Sequence, residues 1–411
     1  MTGLDRDQRL LFVTRSARLF GYGLLSVILV LYLTEVGLDG SRVGALLTLT
    51  LVGDAAISLW MTTRADRLGR RKMLLAGAGL MLLAAAVFAV TRDFWLLCLA
   101  ATIGVISPSG NEVGPFLAVE QSALTQNLAS ERRTSVLAWY NLAGSLATAL
   151  GAQVGGGAVT VLRAAGVDAV SSYRVVVLGY GVVGLALVAL FLTLSPAVEP
   201  APDRRAGKLV LGLAHSRGIV ARLSVLFSLD AFGGGLVVQS LVAYWFHRRF
   251  GVEPALLGTI FLGANVLAGL SALSAAWVAR RIGLLNTMVV THLPSNILLA
   301  LVPFMPTLPL AVAVLLLRFS ISQMDVPTRQ SYLMAVVTPE ERSAAAGVTG
   351  IARTLGAALA PVVAAPLLAS TALLGVPFVL SGAIKSAYDL AIWASFRAVR
   401  PPEEVARARS S

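Results

Sequence analysis

TTRADRLGRRKML, residues 62–74, is a short polar segment between two apolar stretches at about 43–63 and 73–91. It carries five basic residues and one acidic residue. Each flanking stretch is long enough to cross a bilayer as a helix, which takes about 20 residues. We therefore expect the segment to be a loop between two membrane spans.

The same alternation of apolar and polar segments continues along all 411 residues, of which 57% are hydrophobic and 13% are charged. Soluble domains carry about 25% charged residues, so this deficit predicts a polytopic membrane protein. We expect an all-α fold with twelve transmembrane helices near residues 13–34, 43–63, 73–91, 94–120, 134–162, 173–195, 219–246, 255–277, 284–305, 308–336, 343–367 and 371–396.

The net charge of +12 follows from the expected topology. Loops on one side of the twelve spans hold 21 basic residues, and loops on the other side hold six. By the positive-inside rule, both termini are expected in the cytoplasm, with the chain in the plasma or inner membrane of the cell. The basic residues are thereby explained without a nucleic-acid partner, and the lipid bilayer is the expected surrounding.

An internal repeat divides the chain into two halves. At an offset of 214 residues, the turn GLDGSRVGALL aligns with GVEPALLGTIF, and at an offset of 209, EQSAL (120–124) aligns with RQSYL (329–333). The predicted domains are an N-terminal six-helix half (1–195), a cytoplasmic linker (196–218), a C-terminal six-helix half (219–398) and a cytoplasmic tail (399–411). Parallel six-helix repeats are typical of transporters that bind substrate near the midplane, between the halves.

The loop at 62–74 resembles the loop 2–3 signature of the major facilitator superfamily, although Thr62 and Arg64 depart from it. The resemblance implies a cytoplasmic latch between the halves, in which the aspartate attracts a helix N-terminus and the arginines pair with acids at helix ends. The matching residues, expected to take part in gating, are Asp66, Arg67, Gly69, Arg70 and Arg71.

Span 5 resembles more weakly the antiporter signature of the drug exporters in the same superfamily. The segment GAQVGG, residues 151–156, fits the glycine series except that Ala152 replaces proline. Span 11 repeats a similar spacing of small residues, and small residues let helices approach closely. We interpret the pattern mainly as helix packing, which favours export only slightly over uptake.

Ionisable groups at bilayer depth cost roughly 2.5–3.5 kcal/mol on insertion scales, so each is a functional candidate. Arg318 and Asp325 are seven residues apart in span 10 and are expected to share one helix face, whereas Lys385 and Asp389 are expected to pair within span 12. The candidates for substrate binding or proton coupling are Glu112, Asn111, Asp54, Asp230, Gln239, Arg18, Arg318, Gln323 and Asp325.

Span 4 contains an unusually polar stretch, ISPSGNEVGPFLAVEQ (106–121). Its prolines and glycines predict a broken or kinked helix, which membranes tolerate where neighbours or cavity water satisfy the freed backbone groups. Glu112, beside Asn111 at the break, is the first candidate for the coupling or substrate-binding carboxyl. Glu120 and Arg329 are equivalent positions with opposite charges, so we expect a salt bridge between the halves that acts as a gate.

Neither an enzyme nor an ATP-driven pump is indicated, because the chain has no Gly-x-x-x-x-Gly-Lys-Ser/Thr loop and no Gly-x-Ser-x-Gly elbow. One cysteine and three scattered histidines predict neither a metal site nor a cofactor. We expect a monomeric secondary transporter that exports a small organic molecule, a drug or metabolite, by alternating access coupled to protons. The alternative is proton-coupled uptake of an organic anion or metabolite, which Arg18 and Arg318 favour.

Overall fold

A computed structural model describes residues 5–112, 114–126, 130–199, 215–338 and 341–399. Within these ranges the chain is helical and contains no strand. The first seven α-helices are α1 (Arg6–Glu35), α2 (Gly40–Leu68), α3 (Arg70–Val90), α4 (Phe94–Ile103), α5 (Phe116–Thr125), α6 (Ser130–Ala164) and α7 (Ala169–Leu192). The other nine are α8 (Arg217–Gly235), α9 (Gln239–Phe250), α10 (Pro254–Ile282), α11 (Leu284–Leu301), α12 (Leu308–Ile321), α13 (Asp325–Val336), α14 (Arg342–Leu359), α15 (Pro361–Ala369) and α16 (Val376–Phe396).

Ten helical segments in the described part of the chain are long and apolar enough to cross a membrane. Two predicted spans are not among the ten. Span 4 is interrupted, so that only α4 forms a short apolar helix, and α16 in span 12 carries Lys385 and Asp389. An all-helical, multi-pass membrane protein is therefore confirmed, while the exact count of twelve spans stays a prediction.

The predicted break in span 4 is confirmed. The helix stops at Ile103 and resumes at Phe116, and between them Gly110 and Gly114 adopt positive φ angles of 71° and 80°. Neighbouring helices satisfy the freed carbonyls: those of residues 105, 108 and 110 accept hydrogen bonds from the Tyr180 hydroxyl, the Ser240 amide and the Thr148 hydroxyl. This is the condition under which irregular backbone persists at membrane depth.

Span 10 is also broken, and the prediction that Arg318 and Asp325 share one helix face was wrong. α12 ends at Ile321 and α13 begins at Asp325, so Arg318 and Asp325 lie on different helices and share no helix face. The amide of Gln323 within this break donates to the Ser271 hydroxyl of α10 (3.2 Å). In span 7, α8 ends at Gly235, the last of three consecutive glycines.

The described residues group by packing into two compact units. One falls within Met1–Gly207 and Val238–Asn265, and the other within Lys208–Val237 and Val266–Ser411. The first unit therefore holds α1–α7, α9 and the start of α10. The domain boundaries at 195 and 218 stay a prediction.

Each unit is organised around a buried helix. In the first unit, α1 is buried along most of its length, and Tyr22 and Tyr32 are fully buried. It packs closely on α6, because a Cβ at Gly151 would lie 2.1 Å from the carbonyl oxygen of Phe20. In the second unit, Phe227 of α8 packs in a core with Tyr332 of α13 and Tyr388 of α16.

Candidate functional site

The first unit contains a buried network of charges centred on Arg18. Its Nε donates to Glu112 at 2.8 Å, and its two terminal nitrogens donate to the oxygens of Glu120 at 2.8 and 2.7 Å. The side chains of Arg18 and Glu120 are fully buried, and the face of Phe116 lies 4.4 Å from the guanidinium carbon. One arginine on α1 therefore holds both glutamates of span 4.

Arg15 completes the charge balance of this network. Its guanidinium donates to Glu112 (2.8 Å) and to Asn141 (3.2 Å) and lies over the ring of Tyr140. The Tyr140 hydroxyl in turn donates to Glu120. Two cations thus face two carboxylates, which is the arrangement that makes buried charges tolerable. Arg15, Tyr140 and Asn141 were not among the predicted site residues.

Asp54 lies apart from these pairs, near the middle of α2, and is half-buried. Its carboxylate accepts a 2.6 Å hydrogen bond from the amide of Gly114 and a longer one, 3.4 Å, from the Ser58 hydroxyl. No lysine, arginine or histidine among the described residues forms an ion pair with it. Gly114 lies two residues after Glu112, so Asp54 is attached to the same break in span 4.

The second unit contains a second network, centred on Asp230 of α8. Lys385 donates to one carboxylate oxygen at 2.5 Å, and Arg329 to the other at 2.8 Å. Arg329 also pairs with Asp325 at 3.1 Å. The predicted pair between Lys385 and Asp389 was wrong, because the Lys385 ammonium reaches across to α8 instead of along its own helix.

Asp389 has other partners, on α11. It receives a 2.8 Å contact from Nδ1 of His292 and a 2.8 Å hydrogen bond from the amide of Asn296. The other ring nitrogen of His292 lies 3.8 Å from Asp230. His292 thus links two buried carboxylates. His292 and Asn296 were not predicted, although two polar residues four apart in an apolar span were a signal that could have identified them.

The two networks have the same layout with opposite signs. In the first unit, Arg18 of span 1 binds Glu120 of span 4; in the second unit, Asp230 of span 7 binds Arg329 of span 10. Glu120 and Arg329 are thus both engaged inside their own units. Their predicted salt bridge between the halves stays a prediction.

The remaining polar candidates make local contacts. The amide of Gln239 donates to Ser26 (2.7 Å) and accepts from Asn265 (3.2 Å). Asn111 is exposed, and its backbone carbonyl accepts from Ser107. Arg318 lies against the ring of Phe319 and pairs with no acidic residue in the described ranges.

The loop at 62–74 is held within the first unit. The carboxylate of Glu199 accepts hydrogen bonds from the backbone amides of Arg70 (2.7 Å) and Arg71 (3.1 Å), and so caps the N-terminus of α3. Gly69 precedes them with a positive φ of 104°. Arg67 is exposed, and the Asp66 side chain lies outside the described residues. The latch between the halves stays a prediction.

The second unit also contains a cavity of about 870 Å³. Four arginines line it, and the rest of its wall combines short polar side chains with apolar ones from α8, α10, α13 and α14. The basic residues are Arg280, Arg329, Arg342 and Arg353.

A helical, multi-pass fold with charge networks buried inside it is typical of membrane transporters. A sequence profile of the Major Facilitator Superfamily matches residues 11–361. The chain belongs to this superfamily, which confirms the resemblance seen in the loop at 62–74.

Individual relatives agree with this assignment. The chain is 28% identical to the uncharacterized membrane protein YJR124C of Saccharomyces cerevisiae, over 96% of this chain and 95% of that protein. It is 34% identical to the quinolone resistance protein NorA of Staphylococcus aureus over 21% of this chain and 22% of that protein. The crystal structure of the nucleoside transporter NupG superposes with a TM-score of 0.74 at 14% identity, covering 95% of this chain and 99% of NupG. At that identity the likeness concerns the fold alone.

Proposed function

We propose that the protein is a proton-coupled secondary transporter that exports a small organic molecule, with Asp54 as the carboxyl that binds the proton. It works as a monomer in the cell membrane, with both termini in the cytoplasm and with two six-helix halves that alternate access to the substrate. The observation that carries the proposal is the lack of a cationic partner for Asp54 among the described residues.

Within the described membrane spans, the other carboxylates at depth all have partners of the opposite charge. Glu112 and Glu120 face Arg15 and Arg18. In the second unit, Asp230, Asp325 and Asp389 contact one or more of the side chains Lys385, Arg329 and His292. Removing an unpaired carboxylate from water costs several kcal/mol, and binding a proton removes that cost. Asp54 is therefore the acid best suited to gain and lose a proton during transport, ahead of Glu112.

The hydrogen bond from the Gly114 amide links Asp54 to the break in span 4. An ionised carboxylate is a stronger acceptor than a neutral one, so protonation weakens the attachment of the span 4 break to α2. The same break carries Glu112, which Arg15 and Arg18 hold from α1. A change of charge at Asp54 thus alters the balance between α1, α2 and span 4, which is the kind of two-state bias that coupling requires.

Export is favoured over uptake by the partial similarity to a quinolone resistance protein. A transporter that protects a cell from a toxic compound must move that compound outward, and inward proton flow drives such movement in an antiporter. The small residues of span 5 do not decide the direction. A Cβ atom at Gly151 or Gly156 would lie only 2.1 or 2.0 Å from the nearest backbone carbonyl oxygen. Close helix packing therefore already accounts for glycine at both positions.

Infrared difference spectroscopy tests the role of Asp54 without any substrate. Spectra of the purified protein at about pH 8 and pH 5 are compared, because exposed carboxyls remain mostly ionised in this interval. We expect a carbonyl band of a protonated carboxyl that disappears in Asp54→Asn. Asp93→Asn is the matched control, since Asp93 caps α4 at an exposed position and asparagine also caps helices. A band that persists unchanged in Asp54→Asn contradicts the proposal.

A second candidate function, proton-coupled uptake of an organic anion, is favoured by one observation. The cavity of the second unit is lined by four arginines, which suit an anionic solute. The two candidate functions differ in the direction of substrate transport, and both are coupled to protons.

A further inference from the structure

We infer that the cavity of the second unit binds the anionic group, a phosphate or a carboxylate, of a small organic solute with an apolar body. That this solute is the transported substrate rests on the proposed function; the binding itself does not. The cavity measures about 870 Å³, which lies within the range of about 300–1,000 Å³ usual for sites that hold small molecules.

The charged residues that line the cavity are all basic. Four of the lining residues are arginines, and none of the lining residues is acidic. A guanidinium presents five N–H donors in a planar fork that matches the oxygens of a carboxylate or a phosphate. Three of the four, Arg280, Arg342 and Arg353, form no ion pair within the described ranges, so the site is positive.

Arg353 is the arginine whose position points most directly to a ligand. It forms no ion pair with any residue in the described ranges, and its Nε atom is buried without a hydrogen-bond partner there. It lies in the interior of α14, eleven residues after Arg342. Loop topology explains basic residues at helix ends, such as Arg280 and Arg342, but it does not explain an unpaired arginine inside a span.

The other arginines are engaged to different degrees. Nε of Arg342 donates to the carbonyl of Met334 (2.9 Å). Arg329 is shared between Asp230 and Asp325, so a bound anion would compete with these acids for its N–H groups. Arg280 is exposed at the end of α10 and has no acidic partner within the described ranges. An anion between Arg353 and these neighbours would replace missing hydrogen bonds and offset the repulsion among the cations.

The rest of the lining indicates the body of the ligand. Phe227, Leu333 and Met334 form apolar wall, while Gln330 and Ser331 add exposed polar groups. The hydroxyls of Thr328 and Thr349 already donate to backbone carbonyls of their own helices and spans, so they cannot donate to an anion. The site thus offers arginine donors on one side and an apolar surface on the other.

Calorimetric binding to the purified protein in nanodiscs made only of zwitterionic lipid tests this inference. The probes are phenyl phosphate and, as the neutral match, phenol. We expect phenyl phosphate to bind and phenol to bind at least tenfold more weakly, since charge-assisted hydrogen bonds are about twice as strong as neutral ones. Equal binding of the two probes overturns the inference.

The variant Arg353→Gln is expected to weaken phenyl phosphate binding about tenfold or more, in line with the loss of one charge-assisted pair. Arg281→Gln is the control, because Arg281 neighbours Arg280 in sequence but stacks on Trp277 and does not line the cavity. Unfolding temperatures of both variants show whether either has lost its fold. Equal affinities of folded wild type and folded Arg353→Gln overturn the inference.

A lipid headgroup has the same chemistry as a solute phosphate, and a further arm distinguishes them. In nanodiscs that contain phosphatidylglycerol, phenyl phosphate is expected to bind with the same affinity as in nanodiscs made only of zwitterionic lipid. Loss of binding there assigns the site to the lipid and overturns the assignment to a solute. The infrared test of Asp54 uses no phosphate probe, and the calorimetric test uses variants at positions 353 and 281 only, so a failure of this inference and a failure of proton coupling give different results.

Discussion

Arg18 is the residue on which the first unit's charge balance depends. Its guanidinium is fully buried and makes three hydrogen bonds to Glu112 and Glu120. Such a cluster is weak evidence for net stability, because desolvation of the charges offsets their attraction. Removing only one partner of a buried ion pair is nevertheless costly, because the other charge is left buried without a counter-ion.

We predict that Arg18→Met destabilises the protein by about 3–5 kcal/mol, the range found when a buried pair loses one partner. Glu120→Gln leaves Arg18 with Glu112 and is expected to cost less. In the double variant Arg18→Met/Glu120→Gln the effects are expected to be clearly less than additive, because no isolated charge is left at position 120. Thermal unfolding in detergent measures all three, and strictly additive losses contradict the pairing.

The partners of individual charges were only partly predictable. Burial of Asp54, Glu112 and Asp230 followed from their places in apolar segments, because an ionisable group there is rare enough to attract attention. Their partners depend on how helices distant in sequence pack, which no local spacing encodes. Lys385 illustrates this: Asp389 is four residues away on its own helix, yet Asp230, 155 residues away, receives its hydrogen bond.

At the scale of helices, α1 and α6 illustrate how small residues determine packing. A Cβ at Gly151 would lie 2.1 Å from the Phe20 carbonyl oxygen, whereas a Cβ at Gly157 would meet no heavy atom within 4 Å. Both positions are helical, so the loss of glycine improves the intrinsic helix propensity equally at each of them. The two positions differ in that Gly151 packs against the backbone of α1, whereas Gly157 has free space beside it.

We predict that Gly151→Ala destabilises the protein by about 1–3 kcal/mol, the usual cost of overpacking, while Gly157→Ala is neutral or slightly stabilising. Unfolding temperatures and the amount of folded protein recovered from membranes measure the difference. Equal stability of the two variants would mean that α1 and α6 do not approach as closely as described.

Helix breaks were predictable where glycine and proline mark them. Span 4 has both residue types between Ile103 and Phe116, and its break was predicted. Span 10 stops at Ile321 and resumes at Asp325 with only Ser, Gln and Met between, and its nearest proline, Pro327, lies beyond the break. The break there depends on tertiary contacts such as the hydrogen bond from the Gln323 amide to Ser271.

At the scale of the whole chain, fold class was the most predictable property. Hydropathy, the internal repeat and the loop at 62–74 all indicated the major facilitator superfamily, and the profile match over residues 11–361 confirms it. These signals agree because membrane insertion imposes the same length and charge constraints on every span. Substrate and direction depend on a few side chains inside the fold and leave no such repeated signal.

The two buried networks also bear on the whole molecule. Each joins helices of its own unit by opposite charges, and each includes a residue, Glu120 or Arg329, that the repeat places at equivalent positions. Carboxylates in both networks are paired, which leaves Asp54 as the proposed proton carrier. Proton coupling through Asp54 is therefore the central claim of the proposed function.

Transport of small organic molecules into proteoliposomes under an imposed pH gradient tests this claim most directly, with protein-free liposomes as the background. An antiporter accumulates its substrate in the acidic compartment regardless of how the protein is oriented, because protons leave that compartment as substrate enters. We predict such accumulation by wild type and its loss in Asp54→Asn, which keeps substrate exchange without a gradient. Gradient-driven accumulation by Asp54→Asn equal to that of wild type, or accumulation by wild type in the alkaline compartment, would contradict the account.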